Sequence, residues 1–534
     1  MNMKKKLSAI IMALIVSFVF MTPVALVKIP ASAAGSVAIT SALIDGSNVV
    51  VKATASSVPS SDDGMFYLFA LKMYESTPSG SPVASAAAGT SASFSFALGK
   101  GTSNCHLYDK FVVATLNSGS YTVVSNAHYI TNPEAVASNT SSRKNDTNKK
   151  GIWGNELGGL NAGQTAYNFN IHQFSISESS SGNWSYNGKT WSITGNFSGY
   201  DQLMQKYNNQ GIAVTMVVLN GYKDAEFVYP TARDGGGSCP YYMLNTADSR
   251  GLEKLEALMS YISNRYNGST GHGQIDNWVI GNEVNAYLSW NYLPYTDVAT
   301  YSRIYADSLR ICYNAIMSEN KNANVCLCID QMWDRNRTSD VTYYDGRDVL
   351  DNVNAYIKSE GNINWGVAQH PYNTPLYWTW FWTPMTAYYG SLISHDAGTD
   401  MLTMENIEVL TDYLCQSDYL NNKGQVRPIY LTECGYSSAV YGDQNSQAAG
   451  IIYAYNRVIR NQYIKGIFIK NLEESSVEIA QNLYFGILDS SGNQKVAYAY
   501  FRDMNGGGAD NAAAFAQSII GADKWAVDMN SYSR

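Results

Sequence analysis

The feature that most restricts the fold is the rhythm of the chain after Trp153, where short β-branched runs alternate with longer segments of helical spacing. Such alternation is typical of repeated βα units that build a parallel sheet. The runs predicted as strands one to eight are residues 167–174, 212–219, 241–244, 278–280, 325–329, 365–370, 429–432 and 467–469. Eight units over about 350 residues predict an α/β fold, a (β/α)8 TIM barrel.

An open, doubly wound parallel sheet is the alternative arrangement of the same units. That fold usually carries a glycine-rich GxGxxG or GxxxxGK loop after an early strand. The sequence has no such loop there, so the barrel is favoured.

The segment before the barrel has a different pattern. Residues 35–130 contain short alternating runs separated by clusters of Gly, Ser, Pro and Asp, which predicts a small β-sandwich. Residues 131–150 are predominantly polar and are interpreted as a linker. The barrel domain is expected to occupy 151–534 and to end in a helix near 512–520.

Residues 1–34 have the organisation of a secretory signal peptide. Three lysines at 4–6 precede an apolar run at 7–27, and the small residues Ala31-Ser32-Ala33 follow. A membrane anchor is the alternative, but two prolines and a cleavable end close the segment. No later apolar stretch is long enough to span a bilayer. We therefore expect a secreted or cell-surface protein that does not stay in the membrane after cleavage.

The charge of the chain excludes two classes of partner. A formal net charge of −8 with only 15% charged residues lacks the basic footprint needed for nucleic acid or anionic membranes. The seven cysteines show no CxxC pair and no disulfide-scaffold spacing, so we expect mostly buried free thiols.

Two glutamates each follow an apolar run that is predicted to be a strand. Glu283 follows the fourth run and Glu433 the seventh. In a barrel both carboxylates then stand at the C-terminal rim, facing each other across the mouth. Glycoside hydrolysis needs such a pair, because at about 5 Å separation one carboxylate attacks C1 while the other protonates the leaving oxygen. A helix cap or an ion pair would explain either residue alone, but the two together favour catalysis.

The motifs around these glutamates resemble those of clan A glycoside hydrolases. Gly281-Asn282-Glu283 resembles the Asn-Glu signature of their fourth strand, and Thr432-Glu433-Cys434-Gly435 resembles the nucleophile motif of their seventh. Tyr484-Phe485-Gly486-Ile487-Leu488-Asp489, with Gly492, Lys495 and Ala497-Tyr498, resembles their exit from strand eight. The similarity spans about residues 153–504. With its N-terminal sandwich the chain is also similar to an uncharacterised secreted bacterial barrel family, which implies a fold but no substrate.

The resemblance implies roles for individual residues of a retaining enzyme. Glu283 matches the acid/base, Glu433 the nucleophile, and Asn282 the amide that hydrogen-bonds the sugar 2-hydroxyl. His370 and Tyr372 lie where the clan often places a His or Tyr beside the nucleophile. Tyr372 is expected to donate its hydroxyl to ionised Glu433, whereas His370 is equally explained as a structural histidine.

Two departures from the clan pattern point to an unusual sugar subsite. Lys470-Asn471-Leu472-Glu473-Glu474 stands where clan members often carry a Trp after strand eight, which makes Asn471 a candidate substrate contact. The clan's strand-two Arg has no match at 219–222. The subsite is then more polar than usual, or it accepts a charged or modified sugar. Glu473 and Glu474 are alternatives for one catalytic role.

Aromatic residues are unusually frequent, with 40 Tyr and 11 Trp, and they cluster after strand six. Trp378 and Trp380 are candidate sugar-stacking platforms on this loop, and Trp333 after strand five is another. The alternative is a hydrophobic plug over the barrel or an interface with the sandwich.

We expect neither a metal nor a cofactor. Asp62-Asp63-Gly64 and the turn at 489–493 lack EF-hand spacing, the six histidines form no HExxH motif, and the cysteines lack zinc-ligand spacing. The expected partner is a poly- or oligosaccharide, and the expected state is a monomer. A non-catalytic carbohydrate-binding or cell-surface protein on an inactivated barrel is the competing hypothesis. Both glutamates argue against it, and the missing strand-eight Trp keeps it open.

Overall fold

A computed structural model describes residues 36–142, 147–335 and 341–534 of the chain. The predicted signal peptide at 1–34 lies outside the described residues. Within those three ranges, every helix is too short or too polar to cross a membrane.

The N-terminal region is a sandwich of two antiparallel sheets. Its strands are β1 (Val37–Asp45), β2 (Asn48–Ala55), β3 (Met65–Leu71), β4 (Ala84–Ala87), β5 (Ser91–Ala97), β6 (Lys110–Asn117), β7 (Ser120–Val123) and β8 (His128–Tyr129). One sheet has the order β1-β2-β5 and the other β4-β3-β6-β7, with β8 pairing β6. Alternate residues of β2, such as Val49 and Val51, are buried in the same core as Phe66 and Leu68 of β3. The predicted β-sandwich is confirmed.

Eight parallel strands form a closed barrel after the sandwich. They are β9 (Lys150–Ile152), β10 (Gln164–Asn170), β14 (Ala213–Leu219), β15 (Asn277–Ile280), β16 (Asn324–Ile329), β17 (Gly366–Gln369), β18 (Ile429–Cys434) and β19 (Ile464–Ile469). The ring closes where β19 pairs with β9. A small antiparallel sheet follows β10 and consists of β11 (Ser175–Glu178), β12 (Trp184–Tyr186) and β13 (Lys189–Thr194). The predicted TIM barrel is confirmed.

The first three strands were wrongly numbered by the sequence pattern. The runs at 167–174 and 212–219 are the second and third barrel strands, and the run at 241–244 makes only isolated bridges. The first strand, β9, begins at the last residue of the predicted linker. Its lysine, Lys150, is fully buried because Nζ donates to the carbonyl oxygens of Phe501 and Arg502. A three-residue strand that begins with a lysine and has a glycine at its centre gives no apolar signal.

The helices surround the barrel and expose polar faces. They are α1 (Phe197–Asn209), α2 (Ser249–Arg265), α3 (Tyr287–Trp290), α4 (Val298–Met317), α5 (Gly346–Ser359), α6 (Ala387–Ser391), α7 (Glu408–Leu414), α8 (Gln444–Ile459), α9 (Ser476–Ile479), α10 (Val496–Asp503), α11 (Ala509–Ile520) and α12 (Ala522–Ser531). In α2, Asp248 caps the first turn, and the apolar stripe of Leu252, Leu255 and Met259 is buried.

Cysteine side chains fill part of the barrel interior. Cys326 and Cys328 lie two apart on β16 and pack with Val217, Val279 and Tyr430 in one apolar cluster. All seven cysteines are thiols outside any disulfide, and five of them are buried. The prediction of mostly buried free thiols is confirmed.

A buried arginine is expected to hold the start of the sixth and seventh barrel strands together. Arg427 donates from Nη1 to the carbonyls of Ile363 and Trp365, and its guanidinium lies 3.9 Å from the Trp365 ring centre. We expect Arg427→Met to lower the free energy of unfolding by about 3 kcal/mol, because buried carbonyls lose their donors. Urea denaturation measures this. Arg460→Met, at an exposed helix end, is the control and should change stability by less than about 0.5 kcal/mol. Equal losses would contradict the role.

Candidate active site

Both predicted glutamates stand at the carboxyl end of the barrel. Glu433 lies near the end of β18, and Glu283 follows β15 through a tight turn. Gly281 has a φ of 79°, and a Cβ there would meet Val284 at 2.9 Å. Glu283 itself has a φ of 38°, which residues with a Cβ rarely adopt. Such outliers are concentrated at functional sites, because the surrounding structure must hold them in place.

A single histidine lies close to both carboxylates and thereby limits the distance between them. His370 Nδ1 lies 2.7 Å from Glu283 Oε1 and 4.0 Å from Glu433 Oε2. The two glutamate oxygens are therefore separated by no more than the sum of these distances, 6.7 Å. Retaining glycosidases hold their carboxyl groups about 5–5.5 Å apart and inverting ones about 6.5–9.5 Å apart. This upper bound on one oxygen–oxygen distance is compatible with the retaining spacing.

Glu433 is surrounded by donors that keep it ionised. Lys470 Nζ lies 2.9 Å from Oε1, and Tyr372 donates its hydroxyl to Oε2 at 2.7 Å. Burial alone would raise the pKa of Glu433, but the charges of Lys470 and His370, with the hydrogen bonds from Lys470 and Tyr372, lower it to about 2. The expected contact of Tyr372 is present. A carboxylate in this setting is an anion throughout the neutral range.

His370 is held on both sides of its ring. Nε2 lies 3.0 Å from the Thr432 hydroxyl and 3.4 Å from the Cys328 sulfur, while Nδ1 faces Glu283. Burial lowers the pKa of His370, but the neighbouring Cys328, Glu433 and Glu283 raise it well above its usual range. An imidazolium donates from both nitrogens, so His370 orients Glu283.

Two further carboxyl groups lie beside this centre. Asp330 accepts a 2.6 Å hydrogen bond from the Asn285 amide, and burial with the nearby Glu283 charge raises the pKa of Asp330 to about 7. Glu478, on α9, accepts a hydrogen bond from Asn471. The predicted contact residue Asn471 thus positions an acid at the mouth. Neither acid was predicted from the sequence.

Three aromatic residues that were not predicted as site residues follow strands at the carboxyl end of the barrel. Trp153, directly after β9, donates from its indole to the Thr432 carbonyl at 2.7 Å, and Lys470 Nζ lies 4.6 Å from its ring centre. Tyr241 packs with Trp153 against the barrel interior and stacks on Trp290, with 5.9 Å between ring centres. Recognising β9 as a strand would have placed Trp153 at the rim.

The predicted aromatic platforms have other environments. Trp333 is fully buried, donates to the Ala397 carbonyl and packs edge-on against Tyr413, so its predicted platform role is wrong. A ring with no exposed surface cannot stack on a sugar. Trp378 and Trp380 are half-buried and pack edge-on against each other, 4.9 Å between ring centres. Both residues lie on the loop after β17, and their role in sugar stacking stays a prediction.

Asn282 and the alternative glutamates are also placed by the structure. Asn282 is 9% exposed, and within the described part of the chain its amide has no hydrogen-bond partner. Glu474 forms a buried ion pair with Lys495, and Glu473 is exposed. Neither glutamate joins Glu283 and Glu433. The clan's arginine was sought at 219–222, after the run that was taken for the second strand. The barrel's second strand is β10, which ends at Asn170, and residues 170–173 contain no arginine.

Comparison with known proteins gives a family and a set of structural neighbours. The chain belongs to DUF5722, described as a family of unknown function, which matches residues 142–527. No curated protein sequence matches it. A family 39 glycoside hydrolase from Bacteroides cellulosilyticus WH2 is 14% identical, with a TM-score of 0.42, over 84% of this chain and 79% of that one. A glucosidase from Croceicoccus marinus is 12% identical, with a TM-score of 0.42, over 68% of each chain. The catalytic domain of an Ignisphaera aggregans family 53 glycoside hydrolase is 12% identical, with a TM-score of 0.38, over 69% and 96%.

Proposed function

We propose that this member of DUF5722 is a secreted, retaining glycoside hydrolase that cleaves β-linked poly- or oligosaccharides. The observation that carries the proposal is the pair Glu283 and Glu433, whose oxygens lie within 6.7 Å of each other at the rim of the barrel. Secretion rests on the signal-peptide pattern of residues 1–34.

In the first half of the proposed reaction, Glu433 Oε attacks C1 of the sugar while the bond from C1 to the leaving oxygen breaks. Tyr372 and Lys470 hold Glu433 as an anion before the attack. Glu283 gives its proton to the leaving oxygen, and the product is a glycosyl ester on Glu433.

The proton for the leaving oxygen is shared between Glu283 and His370. When Glu283 donates to the substrate, His370 Nδ1 supplies a proton across the 2.7 Å contact. In the second half, water attacks C1, the ester bond breaks, and the proton of that water returns to the pair. Asn282 precedes Glu283 in the chain, and in the proposed mechanism its amide hydrogen-bonds the sugar 2-hydroxyl.

A panel of plant, fungal and bacterial polysaccharides tests the proposed activity. The purified protein is expected to release new reducing ends from at least one β-linked glycan, with the anomeric configuration retained by NMR. Inverted products would refute the retaining mechanism. Binding of a glycan without cleavage would support the competing hypothesis of a carbohydrate-binding protein on an inactivated barrel.

The Lys470 charge is expected to set the acidic limit of activity. In Lys470→Met the pKa of Glu433 rises, because the opposite charge is lost while the burial remains. The acidic limb of the kcat/KM profile, which reports ionisation of the nucleophile in the free enzyme, should move upward by about 1–3 pH units. Lys465→Met, on the exposed side of β19, is the control. An acidic limb that stays in place would contradict the role of Lys470.

A further inference from the structure

The charge of Lys470 raises the question of whether the site takes an acidic sugar. A lysine beside the nucleophile would suit the carboxylate of a uronic acid if its charge were free. Its Nζ, however, is 2.9 Å from Glu433 Oε1. Burial lowers the pKa of Lys470, but the negative charges of Glu433, Glu478 and Glu283 raise it by more. Three carboxyl groups therefore already compensate this one cation.

Glu478 is the carboxyl group of this cluster that no described cation contacts directly. It is half-buried on α9, accepts from the Asn471 amide, and forms no ion pair with a described residue. Burial raises the pKa of Glu478, Lys470 lowers it and Glu433 raises it again, with a net increase. Because Asn471 is a neutral partner and no described cation contacts the Glu478 carboxylate, a second anion beside this carboxylate would be disfavoured.

The balance of charges at the mouth is negative. Among the described residues, Glu433 and Glu478 face one lysine, Lys470. Glu283 and His370 share one proton across their 2.7 Å contact and add no net charge, and Asp330 is counted as neutral. At the low effective dielectric of a half-buried site, like charges a few ångströms apart repel strongly. Ionised carboxylates accept hydrogen bonds from hydroxyl groups, so the same cluster suits an uncharged sugar.

We infer that the subsite beside Glu433 takes an uncharged sugar and that Glu478 is the residue that rejects an acidic one. The inference rests on the proposed glycosidase function and names the substrate class of that site. Glu478 is a specificity-determining residue here, because it acts on which sugar binds and not on the bonds that break.

Matched aryl β-glycosides test the inference, since a glucoside and a glucuronide, or a galactoside and a galacturonide, differ only at C6. We expect kcat/KM for the uncharged member to exceed that for the acidic member by at least about tenfold. In Glu478→Gln, which keeps the acceptor for Asn471, the preference should fall by about tenfold. Glu473→Gln, at an exposed glutamate of the same loop, should leave the preference unchanged.

The outcomes separate this inference from the function on which it rests. Equal or faster cleavage of the acidic glycosides overturns the inference and leaves the glycosidase intact. A preference that survives in Glu478→Gln overturns the role of Glu478. Failure to cleave any glycoside or polysaccharide overturns the proposed function and the inference together.

Discussion

Glu433→Gln is expected to lower kcat/KM for aryl β-glycosides by about 10⁴-fold or more, because the amide cannot form the glycosyl ester. The substitution preserves the volume of the side chain and keeps one acceptor oxygen, which can bind either the Tyr372 hydroxyl or Lys470 but not both in the present geometry. Steady-state rates measure the loss, and far-UV circular dichroism with a thermal melt verifies the fold. Glu473→Gln serves as the matched exposed control and should retain wild-type activity.

A smaller side chain at the same position gives a chemical signature of the nucleophile. In Glu433→Gly, azide can enter the vacated space and attack C1 from the face that Glu433 occupied. The rate on an activated aryl glycoside should recover with added azide, and the product should be a glycosyl azide of inverted configuration. Wild-type rates in Glu433→Gln, or recovery with retained configuration in Glu433→Gly, would remove Glu433 from the nucleophile role.

The positions of these two glutamates could be predicted because they depend on few physical facts. Apolar runs of three residues mark β15 and β18, and parallel strands in a barrel all end at the same rim. A residue directly after such a strand must stand at that rim. The resemblance to clan A glycoside hydrolases implied that His370 and Tyr372 lie beside the nucleophile, and the structure brings them against Glu283 and Glu433.

The rest of the site depends on contacts that leave no local pattern. The strand β9 has three residues and a buried lysine whose charge is satisfied by carbonyls about 350 positions away, so Trp153 could not be assigned to the rim. The sequence showed only that Lys470 stands near the position where clan members often carry a tryptophan. Its ion pair with Glu433 forms because β18 and β19 are neighbours in the closed barrel. Trp333 shows that an aromatic residue that follows a strand can also be buried in the hydrophobic core.

The barrel also explains why sequence reasoning could not number its strands. The run at 241–244 has the composition of a strand, yet Tyr242 bridges only Tyr292, and Leu244 bridges only Val228. Its residues Tyr242, Met243 and Leu244 are buried within the connection between β14 and α2 instead of pairing in the ring. The composition of a segment predicts whether it is buried. Whether it pairs in the sheet depends on which neighbouring backbone N–H and C=O groups are available for hydrogen bonds.

Glu283→Gln is expected to separate acid catalysis from nucleophilic attack. For polysaccharides and other substrates with a poor leaving group, kcat/KM should fall by about 10²–10⁴-fold, since no proton reaches the departing oxygen. For a dinitrophenyl glycoside, whose leaving group departs as a stable anion, formation of the glycosyl ester should be nearly unaffected, so a pre-steady-state burst of dinitrophenol should remain. Azide should then accelerate turnover and give a glycosyl azide of retained configuration, because it replaces the water that Glu283 normally activates. A loss of equal size for both leaving groups would contradict the acid/base role and would make Glu283 a positioning residue for His370.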